Sequence, residues 1–491
     1  MKIILIYPRY PDTFWSFKHA LKFISKKSSY PPLGLLTVAN LLPSNWEKKL
    51  VDMNISGLKD EDIQWADYAF ISAMNIQKKS AQEVIQRCKE QGVRVVAGGP
   101  VFTTGHQEFK NVDHFILDEA ETTLPPFLED LQKGCPKHMY TSDQFPDIQK
   151  SPPPKWDLID MKNYATMNIQ YSRGCPYNCE FCDIIVLNGH RPRTKSKDQI
   201  LKELDALYTQ GWRGGVMFVD DNFIGNKKKL KRNILPALTE WRKKRKNPFN
   251  FMTEASINLA DDEELMNMMV DAGFDSVFVG IETPNQESLT ECNKKLNTDR
   301  DLAESVKKMH HHGLQVMGGF IVGFDHDPPS IFENQIDFIQ KSGIVTAMVG
   351  LLNAPKKTRL YKRLKKENRL LRDISGDNMD FSLNFIPKMN LNTLLNGYKK
   401  VLHNIYSPKQ YYQRILTFLK EYKPQTKKRV NFNFCHIQAL LRSLWHLGIK
   451  GKERFCFWKL LSWTLIRRPH LFPLAITFSI YGSHFRKIVG I

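Results

Sequence analysis

The sequence predicts an α/β protein in three parts: a doubly wound parallel sheet, a central partial (β/α)6 barrel and a C-terminal helical extension. Residues 1–133 alternate short apolar runs with amphipathic helical patterns, as a parallel sheet with helices on both faces requires. The alternation resumes over residues 164–355 with six strand–helix units, which predicts the barrel. Residues 356–491 keep the helical spacing of apolar residues without further strands, which predicts the helical extension.

The predicted N-terminal sheet has five strands, and polar or small residues follow four of them. Ligands of open parallel sheets bind outside the carboxyl ends of the strands, so these residues are candidate ligand contacts. Gly98 and Gly99 would let a ligand approach the backbone closely, and a tight turn is the alternative interpretation of this glycine pair. The predicted strands are residues 3–7, 49–53, 68–73, 93–97 and 114–117, and the candidate contacts are Asn54, Ser72, Gly98, Gly99 and Glu121.

A proline-rich stretch at residues 134–163 is predicted to be an extended linker. In the barrel that follows, catalytic residues are expected at the carboxyl ends of the strands. A buried carboxylate at such a position needs a cationic or hydrogen-bonding partner, and the alternative is that each carboxylate caps the helix after it. The predicted strands are residues 168–172, 215–220, 250–256, 276–282, 315–322 and 345–352, and the strand-end residues are Asp220, Asp221, Glu254, Ser256, Glu282 and Gly319.

The most specific feature is the cysteine loop, residues 171–182, at the end of the first barrel strand. Cys175, Cys179 and Cys182 have the spacing C-x3-C-x2-C and are three of the chain's eight cysteines. Closely spaced thiolates can hold a cubane iron–sulfur cluster, and three of them leave its fourth iron open to bind and reduce a small molecule. A structural zinc site is the alternative, but zinc normally takes four ligands and no second ligand pair lies near this loop in the sequence.

The cysteine loop, with Phe181 before its third cysteine, resembles the cluster loop of radical S-adenosylmethionine (SAM) enzymes. The resemblance implies that the three cysteines ligate a [4Fe-4S] cluster whose open iron binds SAM, and that the reduced cluster cleaves SAM to a 5'-deoxyadenosyl radical. It also implies that Phe181 and the strand-end residues of the barrel surround SAM. The second barrel strand departs from the family, because residues 219–222 read Val-Asp-Asp-Asn instead of a Gly-Gly-Glu type sequence.

Residues 1–133 resemble the cobalamin-binding domain that precedes many radical SAM barrels, so the resemblance covers residues 1–355 in order. It implies that the candidate contacts of the N-terminal sheet bind cobalamin. Cobalamin domains that ligate cobalt through histidine contain D-x-H-x-x-G, whereas this chain has Asp52-x-Asn54-x-x-Gly57. An amide is a poor cobalt ligand compared with imidazole, so this position is not expected to supply a lower axial ligand.

The net charge of +20 comes entirely from the C-terminal part. Residues 356–491 contain 28 Lys and Arg against 6 Asp and Glu, a net +22, which leaves −2 for the rest of the chain. Apolar and aromatic stretches flanked by basic residues, at residues 455–466 and 471–481, are typical of an interfacial membrane segment. The alternatives are a solvated basic surface and a helical lid over the barrel, and a lid is compatible with membrane contact.

The chain is therefore expected to be a cytoplasmic cobalamin-dependent radical SAM methyltransferase, peripheral at the inner face of the membrane. Clustered cysteines without a signal-peptide pattern indicate a reducing compartment and metal binding rather than disulfides. The expected partners are a small-molecule or lipid substrate, an electron donor of flavodoxin or ferredoxin type and an anionic membrane. Nucleic acid is not expected, because no RNA-binding motif accompanies the charge. The alternatives are a radical SAM enzyme that closes rings or couples carbons, one that modifies RNA, and a non-catalytic cobalamin or redox sensor.

Overall fold

The structure, a computed structural model, describes residues 1–377, 379–424 and 434–491. Its N-terminal part is a sheet of six strands in the order β2-β1-β3-β4-β5-β6, and every pair is parallel. The five predicted strands are confirmed, with their ends shifted by at most two residues. The strands are β1 Lys2–Tyr7, β2 Glu47–Asp52, β3 Tyr68–Ser72, β4 Arg94–Gly98, β5 His114–Ile116 and β6 Met139–Tyr140.

The sixth strand, β6, lies in the stretch that the sequence predicts to be a linker. It has only two residues, so it carries no pattern that predicts a strand. Backbone hydrogen bonds hold it in the sheet: the N–H of Phe115 donates to the carbonyl of His138 at 2.8 Å, and that of Leu117 donates to the carbonyl of Tyr140 at 2.9 Å. The sheet therefore extends into residues 134–163.

The apolar side chains of the sheet form two separate cores, one on each face. In β1, Ile4 and Ile6 belong to one core, whereas Ile3 and Leu5 belong to the other, as the alternation of side chains along a strand requires. The doubly wound prediction is confirmed. The helices of this part are α1 Lys18–Leu21, α2 Leu33–Leu41, α3 Asp60–Gln64, α4 Lys78–Glu90, α5 Pro100–Gly105 and α6 Ala120–Gln132.

The central part is a second parallel sheet, in the order β14-β13-β12-β11-β10-β7, which confirms the six predicted barrel strands. The order is that of an open barrel, because β14 and β7 lie at opposite ends of the sheet. A short antiparallel hairpin, β8–β9, encloses the cysteine loop. The strands are β7 Met167–Ile169, β8 Ser172–Arg173, β9 Arg193–Thr194, β10 Gly215–Phe218, β11 Asn250–Glu254, β12 Phe274–Glu282, β13 Gln315–Val322 and β14 Ala347–Leu351.

Helices connect the successive barrel strands, as the predicted strand–helix units require. A π-helical stretch, Leu230–Ile234, leads directly into α10. The helices of the barrel are α7 Ile184–Asn188, α8 Lys197–Thr209, α9 Lys227–Lys229, α10 Leu235–Lys244, α11 Glu263–Ala272, α12 Gln286–Glu291, α13 Leu302–His311 and α14 Ile331–Ser342.

The C-terminal part contains the predicted helices, and one of them covers the free edge of the barrel. The hydroxyls of Tyr398 and Tyr406 on α16 donate to the backbone carbonyls of Val349 and Ala347 on β14. These bonds satisfy edge carbonyls that have no strand partner. No helix in the described part of the chain is both long and apolar enough to cross a bilayer. The helices are α15 Arg359–Lys366, α16 Leu391–Tyr406, α17 Pro408–Glu421, α18 Phe434–Ser443, α19 Arg454–Arg467 and α20 Phe472–Val489, with a π-helical turn at Leu444–Ile449.

The carboxyl ends of the two sheets meet, and polar contacts join them. The hydroxyl of Tyr164, just before β7, donates to Asp52 at the end of β2 at 3.0 Å. At a second point, Arg173 in the cysteine loop pairs with Glu121 at 2.8 Å. Any group bound between the sheets would therefore contact the cysteine loop and the N-terminal strand ends together.

Candidate functional site

Two aspartates after β10 hold the start of the cysteine loop. Asp220 is 1% exposed and accepts hydrogen bonds from the backbone N–H groups of Tyr171 and Ser172 and from the Ser172 hydroxyl. Asp221 accepts the backbone N–H of Gly174 at 2.9 Å. Burial raises the pKa of Asp220 to about 7 in spite of these bonds. Both aspartates therefore position the loop, and their contact with SAM stays a prediction.

Gly174, which precedes the first cysteine, must be glycine. Its φ is +95°, in the left-handed region that other residues rarely adopt. A Cβ at this position would lie 2.9 Å from the carbonyl of Arg191 and 3.0 Å from that of Gly189. The tight turn at Gly174 brings Cys175 under the β8–β9 hairpin, where its N–H donates to the Gly189 carbonyl at 3.2 Å.

The three cysteines of the loop are free thiols that lie close together. Cys179 is buried, whereas Cys175 and Cys182 are half-buried. Burial raises the pKa of all three thiols; repulsion from Cys175 raises the pKa of Cys179 further, and repulsion from Cys179 raises that of Cys182. The N–H groups of Tyr177 and Ile184 point at the sulfurs of Cys175 and Cys182 and oppose this effect. Adjacent thiols supplied with N–H donors suit the ligation of an iron–sulfur cluster.

No group of three or more His, Cys, Asp or Glu side chains in the described residues, the three loop cysteines included, is arranged to hold a single metal ion. The zinc interpretation of the loop therefore gains no additional ligand from the parts of the chain that the structure describes. The three thiols are soft sulfur ligands, which suit an iron–sulfur cluster.

Lys294 is a charged residue of the site that the sequence analysis does not predict. Its ammonium pairs with Glu282 at 2.7 Å and lies close enough to Cys179 and Cys182 to oppose the rise of their pKa. Cys179 and Cys182, together with Glu282, raise the pKa of Lys294, although its burial acts in the opposite direction. Glu282 is thus an ion-pair partner of Lys294 at the cysteine loop, and its predicted contact with SAM stays a prediction.

The outer side of the cysteine loop is also fixed by distant segments. The N–H of Glu180 donates to the carbonyl of Cys292 at 2.9 Å, and the Glu180 side chain pairs with Arg363 on α15 at 2.8 Å. Arg363 pairs further with Asp325 at 2.8 Å. The C-terminal part therefore holds the loop, a role that charge counting along the sequence does not reveal.

Glu254, at the end of β11, is the candidate residue that remains available to a ligand. Its side chain is half-buried and has no hydrogen bond or ion pair among the described residues. Burial, together with repulsion from Asp221 and Asp220, raises its pKa to about 8. A carboxylate in this position would gain from a cationic or hydroxyl-bearing ligand.

We expect Glu254 to make the stability of the ligand-free protein depend on pH. Its pKa is raised on folding, so the folded state holds a proton that the unfolded state has released between about pH 4.5 and pH 8. The free energy of unfolding should fall with rising pH in this window, by up to about 1.4 kcal/mol per pH unit from this group. Urea unfolding of the wild type and Glu254→Gln across the window measures this contribution, and parallel pH profiles of the two proteins would contradict it.

Ser256 and Asn222 form a hydrogen-bonded chain that reaches the cysteine loop. The Asn222 amide donates to the Ser256 hydroxyl at 3.2 Å, which donates to Asn258 at 2.7 Å, and Asn258 donates to the hydroxyl of Tyr177 at 3.2 Å. Asn222 also hydrogen bonds to the thiol of Cys175. Ser256 is therefore connected to the loop through side chains, and its contact with SAM stays a prediction.

The remaining predicted SAM contacts, Phe181 and Gly319, have packing partners. The rings of Phe181 and Phe324 are 6.2 Å apart, with Phe324 just beyond β13. A Cβ on Gly319 would lie 2.8 Å from the ring of Phe278 on β12. The absence of a side chain at Gly319 thus makes room for an aromatic ring, and the SAM role of both residues stays a prediction.

In the N-terminal sheet, Asn54 is turned into the protein. Its amide nitrogen donates to Asp52 at 2.8 Å and to the carbonyl of Pro8 at 3.3 Å, and its amide oxygen accepts the N–H of Tyr10 at 3.1 Å. Both ends of the amide are therefore used. The contact of Asn54 with cobalamin stays a prediction.

Ser72, Gly98 and Gly99 come together at the ends of β3 and β4. The φ of Gly99 is +95°, and a Cβ there would lie 2.5 Å from the Ser72 hydroxyl oxygen. A Cβ on Gly98 would lie 2.7 Å from the carbonyl of Ile116. The two glycines are therefore required by the close approach of neighbouring strand ends, and their contact with cobalamin stays a prediction.

Glu121, the last predicted cobalamin contact, lies in an ionic network between the two sheets. Arg173 pairs with Glu121 at 2.8 Å and with Glu119 at 2.5 Å, and Arg193 pairs with Glu119 at 2.5 Å. The Arg173 guanidinium lowers the pKa of Glu121 to about 2, against the effect of its burial. The carboxylate of Glu121 therefore joins the cysteine loop to the N-terminal part.

A crevice lies where all three parts of the chain meet. Its walls include Lys78 and Glu108 of the N-terminal part, Asp183 next to the cysteine loop, Lys356 after β14 and Asp373. Lys356 pairs with Glu108 at 2.5 Å and with Asp373 at 2.9 Å. Fixed charges thus hold the N-terminal part, the barrel end and the C-terminal part together around the crevice.

Comparison with known proteins gives matches along nearly the whole chain. Residues 169–339 match the Radical SAM superfamily, and residues 358–491 match a domain of unknown function, DUF4070. The chain is 42% identical to an uncharacterized methyltransferase of Synechocystis sp., over 100% of this chain and 92% of that protein. It is 33% identical to the hopanoid C-2 methylase of Rhodopseudomonas palustris, over 95% of this chain and 90% of that protein.

Two solved structures share the fold over almost the full length. The cobalamin-dependent SAM radical enzyme OxsB with aqua-cobalamin bound matches with a TM-score of 0.64 and 16% identity, over 96% of this chain and 80% of that chain. The radical SAM methyltransferase TsrM of Kitasatospora setae, with cobalamin and a [4Fe-4S] cluster bound, matches with a TM-score of 0.61 and 14% identity, over 94% and 98%. At these identities the similarity shows a common fold.

Proposed function

The chain belongs to a family of radical SAM methyltransferases, and from that membership we propose that it uses cobalamin to methylate an unactivated carbon of a hydrophobic, lipid-like substrate. The main support for the proposal is that the carboxyl ends of the N-terminal sheet and of the barrel sheet face each other. The cysteine loop lies at the edge of the barrel, and Arg173 in that loop pairs with Glu121 of the N-terminal sheet. Two cofactors bound at these edges would lie next to each other, as methyl transfer between them and a substrate requires.

The cofactors of this proposal are a [4Fe-4S] cluster, SAM and cobalamin. Cys175, Cys179 and Cys182 would hold the cluster, and they fit it because their thiols are free, close together and supplied with N–H donors. When bound, the cluster and SAM supply a radical that removes hydrogen from an unactivated carbon, and cobalamin supplies the methyl group. The remaining work of the chain is to bind and orient these groups.

Several side chains are suited to that work. Lys294, beside two of the cysteines, offers a positive charge to an anionic group such as the SAM carboxylate. Glu254, without a partner among the described residues, offers a carboxylate to the ribose hydroxyls or the ammonium group. Asp220 and Asp221 keep the cysteine loop in place by accepting its backbone N–H groups. At the N-terminal edge, Ser72, Gly98 and Gly99 would contact cobalamin.

The hydrophobic substrate is supported by two observations. The relative at 33% identity is named a hopanoid C-2 methylase, and the alignment covers 90% of that protein. The C-terminal part carries the basic excess and aromatic side chains that suit work at a lipid surface. With the substrate in a membrane, the enzyme would act at the inner face of that membrane, and a flavodoxin- or ferredoxin-type protein would supply electrons.

Transfer of a labelled methyl group tests this proposal. The protein is reconstituted without oxygen with iron, sulfide and cobalamin, then incubated with a strong reductant, methyl-deuterated SAM and a bacterial lipid extract. We expect a deuterated methyl group on an extracted lipid, formed by the wild type and absent with Cys182→Ala. A dehydrogenated or cyclised product without deuterium would contradict methylation and indicate ring closure or coupling. Deuterium label in added RNA would contradict the lipid substrate and indicate that RNA is modified.

A further inference from the structure

The solvent-facing side of α19 is apolar where a surface helix is normally polar. Phe455 is 77% exposed, Trp458 46%, Leu465 53% and Ile466 77%, and their spacing places them on one side of the helix. The opposite side, which includes Phe457 and Leu461, is buried. The exposed apolar side chains of α19 therefore do not pack in the protein core.

The preceding helical stretch has a second exposed apolar row. Ile437 is 50% exposed, Leu441 61%, Trp445 49% and Ile449 56%, and each follows the previous one by four residues along α18 and its π-helical turn. The two rows are joined, because the indole N–H of Trp458 donates to the carbonyl of Gly448 at 2.9 Å. We call these eight side chains the apolar surface. They make up eight of the 17 large exposed hydrophobic residues in the described part of the chain.

Positive charge surrounds the apolar surface. Residues 436–468 contain seven Lys and Arg against a single acidic residue, Glu453, which pairs with Arg486 at 2.6 Å. The ammonium of Lys450 lies 4.9 Å from the ring of Trp445, and the guanidinium of Arg454 lies 5.1 Å from that of Phe455. Apolar side chains bordered by Lys and Arg are the composition of a helix that lies in the headgroup region of a bilayer.

The positive charge of the C-terminal part favours an anionic membrane over a second copy of the chain as the partner of the apolar surface. A dimer formed through the apolar surface would bring together two segments that each carry the excess of residues 356–491, a net +22. Like charges across an interface cost free energy, whereas an anionic leaflet attracts each lysine or arginine near it. No helix in the described ranges is suited to span the bilayer, so the contact would be interfacial.

We propose that α18 and α19 form an interfacial anchor that inserts the apolar surface into the headgroup region of an anionic bilayer. The inference rests on the proposed function, since it specifies how the enzyme reaches a lipid substrate. Lys450, Lys452, Arg454 and Lys459 contact the anionic headgroups. Ile449 and Phe455, on either side of the turn between the two helices, insert into the acyl boundary.

Vesicle binding by the full-length protein tests the anchor. We expect the wild type to sediment with phosphatidylglycerol-containing vesicles at low salt, and far less with phosphatidylcholine vesicles or at high salt. Ile449→Ser with Phe455→Ser should weaken binding about tenfold or more, because two apolar side chains no longer enter the bilayer. Lys450→Gln with Lys452→Gln should weaken it by about fivefold per charge on anionic vesicles.

The matched control is Ile386→Ser with Leu391→Ser, since these residues are 50% and 47% exposed in the same part of the chain but outside α18 and α19. It should bind like the wild type. Equal binding by the Ile449/Phe455 variant and the wild type would overturn the anchor, as would a wild-type dimer that this variant dissociates without loss of vesicle binding. SAM cleavage measured without vesicles should be unchanged in every variant. Vesicle binding without SAM cleavage by the wild type would keep the anchor and refute the proposed enzyme.

Discussion

The Cys179→Ala variant, reconstituted with iron, sulfide and cobalamin, should form 5'-deoxyadenosine only at the level of a sample without iron. Cys179 is the middle cysteine of the loop, and its buried thiol lies near those of Cys175 and Cys182. Without it two sulfur ligands remain, which are too few to hold a cubane with one open iron. The measurements are iron and sulfide per chain and the initial rate of 5'-deoxyadenosine formation from SAM under strong reductant.

The chain offers a matched control in Cys292. This cysteine is 2% exposed and lies near Cys179, but its thiol hydrogen bonds to the carbonyl of Leu289 and it lies outside the C-x3-C-x2-C spacing. Cys292→Ala should keep the iron content and cleave SAM within about threefold of the wild type, as expected when a removed side chain touches neither cofactor nor substrate. Retention of the cluster by Cys179→Ala, or equal loss in both variants, would contradict the assignment of the ligands.

Asp220→Ala should lower the free energy of unfolding by about 3–5 kcal/mol, because it leaves buried backbone N–H groups without an acceptor. Asp220 accepts the N–H groups of Tyr171 and Ser172 and is 1% exposed, so water does not replace the lost bonds. The loop that begins at these residues should also loosen, and iron per chain should fall together with stability. Urea unfolding of the ligand-free protein measures the first effect, and iron analysis after reconstitution measures the second.

Two further variants test whether the stability lost in Asp220→Ala comes from the hydrogen bonds that Asp220 accepts. Asp220→Asn keeps one acceptor oxygen but turns an N–H2 group towards backbone donors, so it should lose about 1–3 kcal/mol. Asp337→Ala removes an exposed carboxylate whose pair with Lys341 lies on the surface, and it should change stability by less than about 0.5 kcal/mol. If Asp220→Ala were as stable as Asp337→Ala, the aspartate would not be holding the loop.

Much of the fold follows from local sequence patterns. All five predicted N-terminal strands and all six predicted barrel strands are present, because each is a run of apolar residues long enough to be recognised. The pattern fails for β6, Met139–Tyr140, which is defined by its bonds to β5 rather than by its own two residues. It also fails for the covering of the free edge of the barrel. The tyrosines of α16 that hydrogen bond to β14 are 49 and 59 residues away from their partners along the chain, and only folding brings them together.

The candidate site, like the fold, is predicted from the sequence only in part. The three candidate cluster ligands can be predicted from their spacing, because they lie on one short loop. The partners of the loop lie far away in the chain. Lys294 of the barrel, Glu121 of the N-terminal part and Arg363 of the C-terminal part are brought to the loop only by folding. The sequence does not predict the different environments of Asp220 and Glu254, since both are acidic residues at the ends of strands. One has every oxygen occupied by the loop, and the other has no partner among the described residues.

The stoichiometry of SAM products per methylated substrate tests the central claim most directly. A cobalamin-dependent radical SAM methyltransferase uses one SAM to generate the radical and a second to supply the methyl group. With the lipid substrate in hand, we expect equal amounts of 5'-deoxyadenosine, S-adenosylhomocysteine and methylated product, all abolished when cobalamin is left out of the reconstitution. Formation of 5'-deoxyadenosine and product without S-adenosylhomocysteine would contradict methyl transfer, and unchanged methylation without cobalamin would contradict the role of the N-terminal sheet.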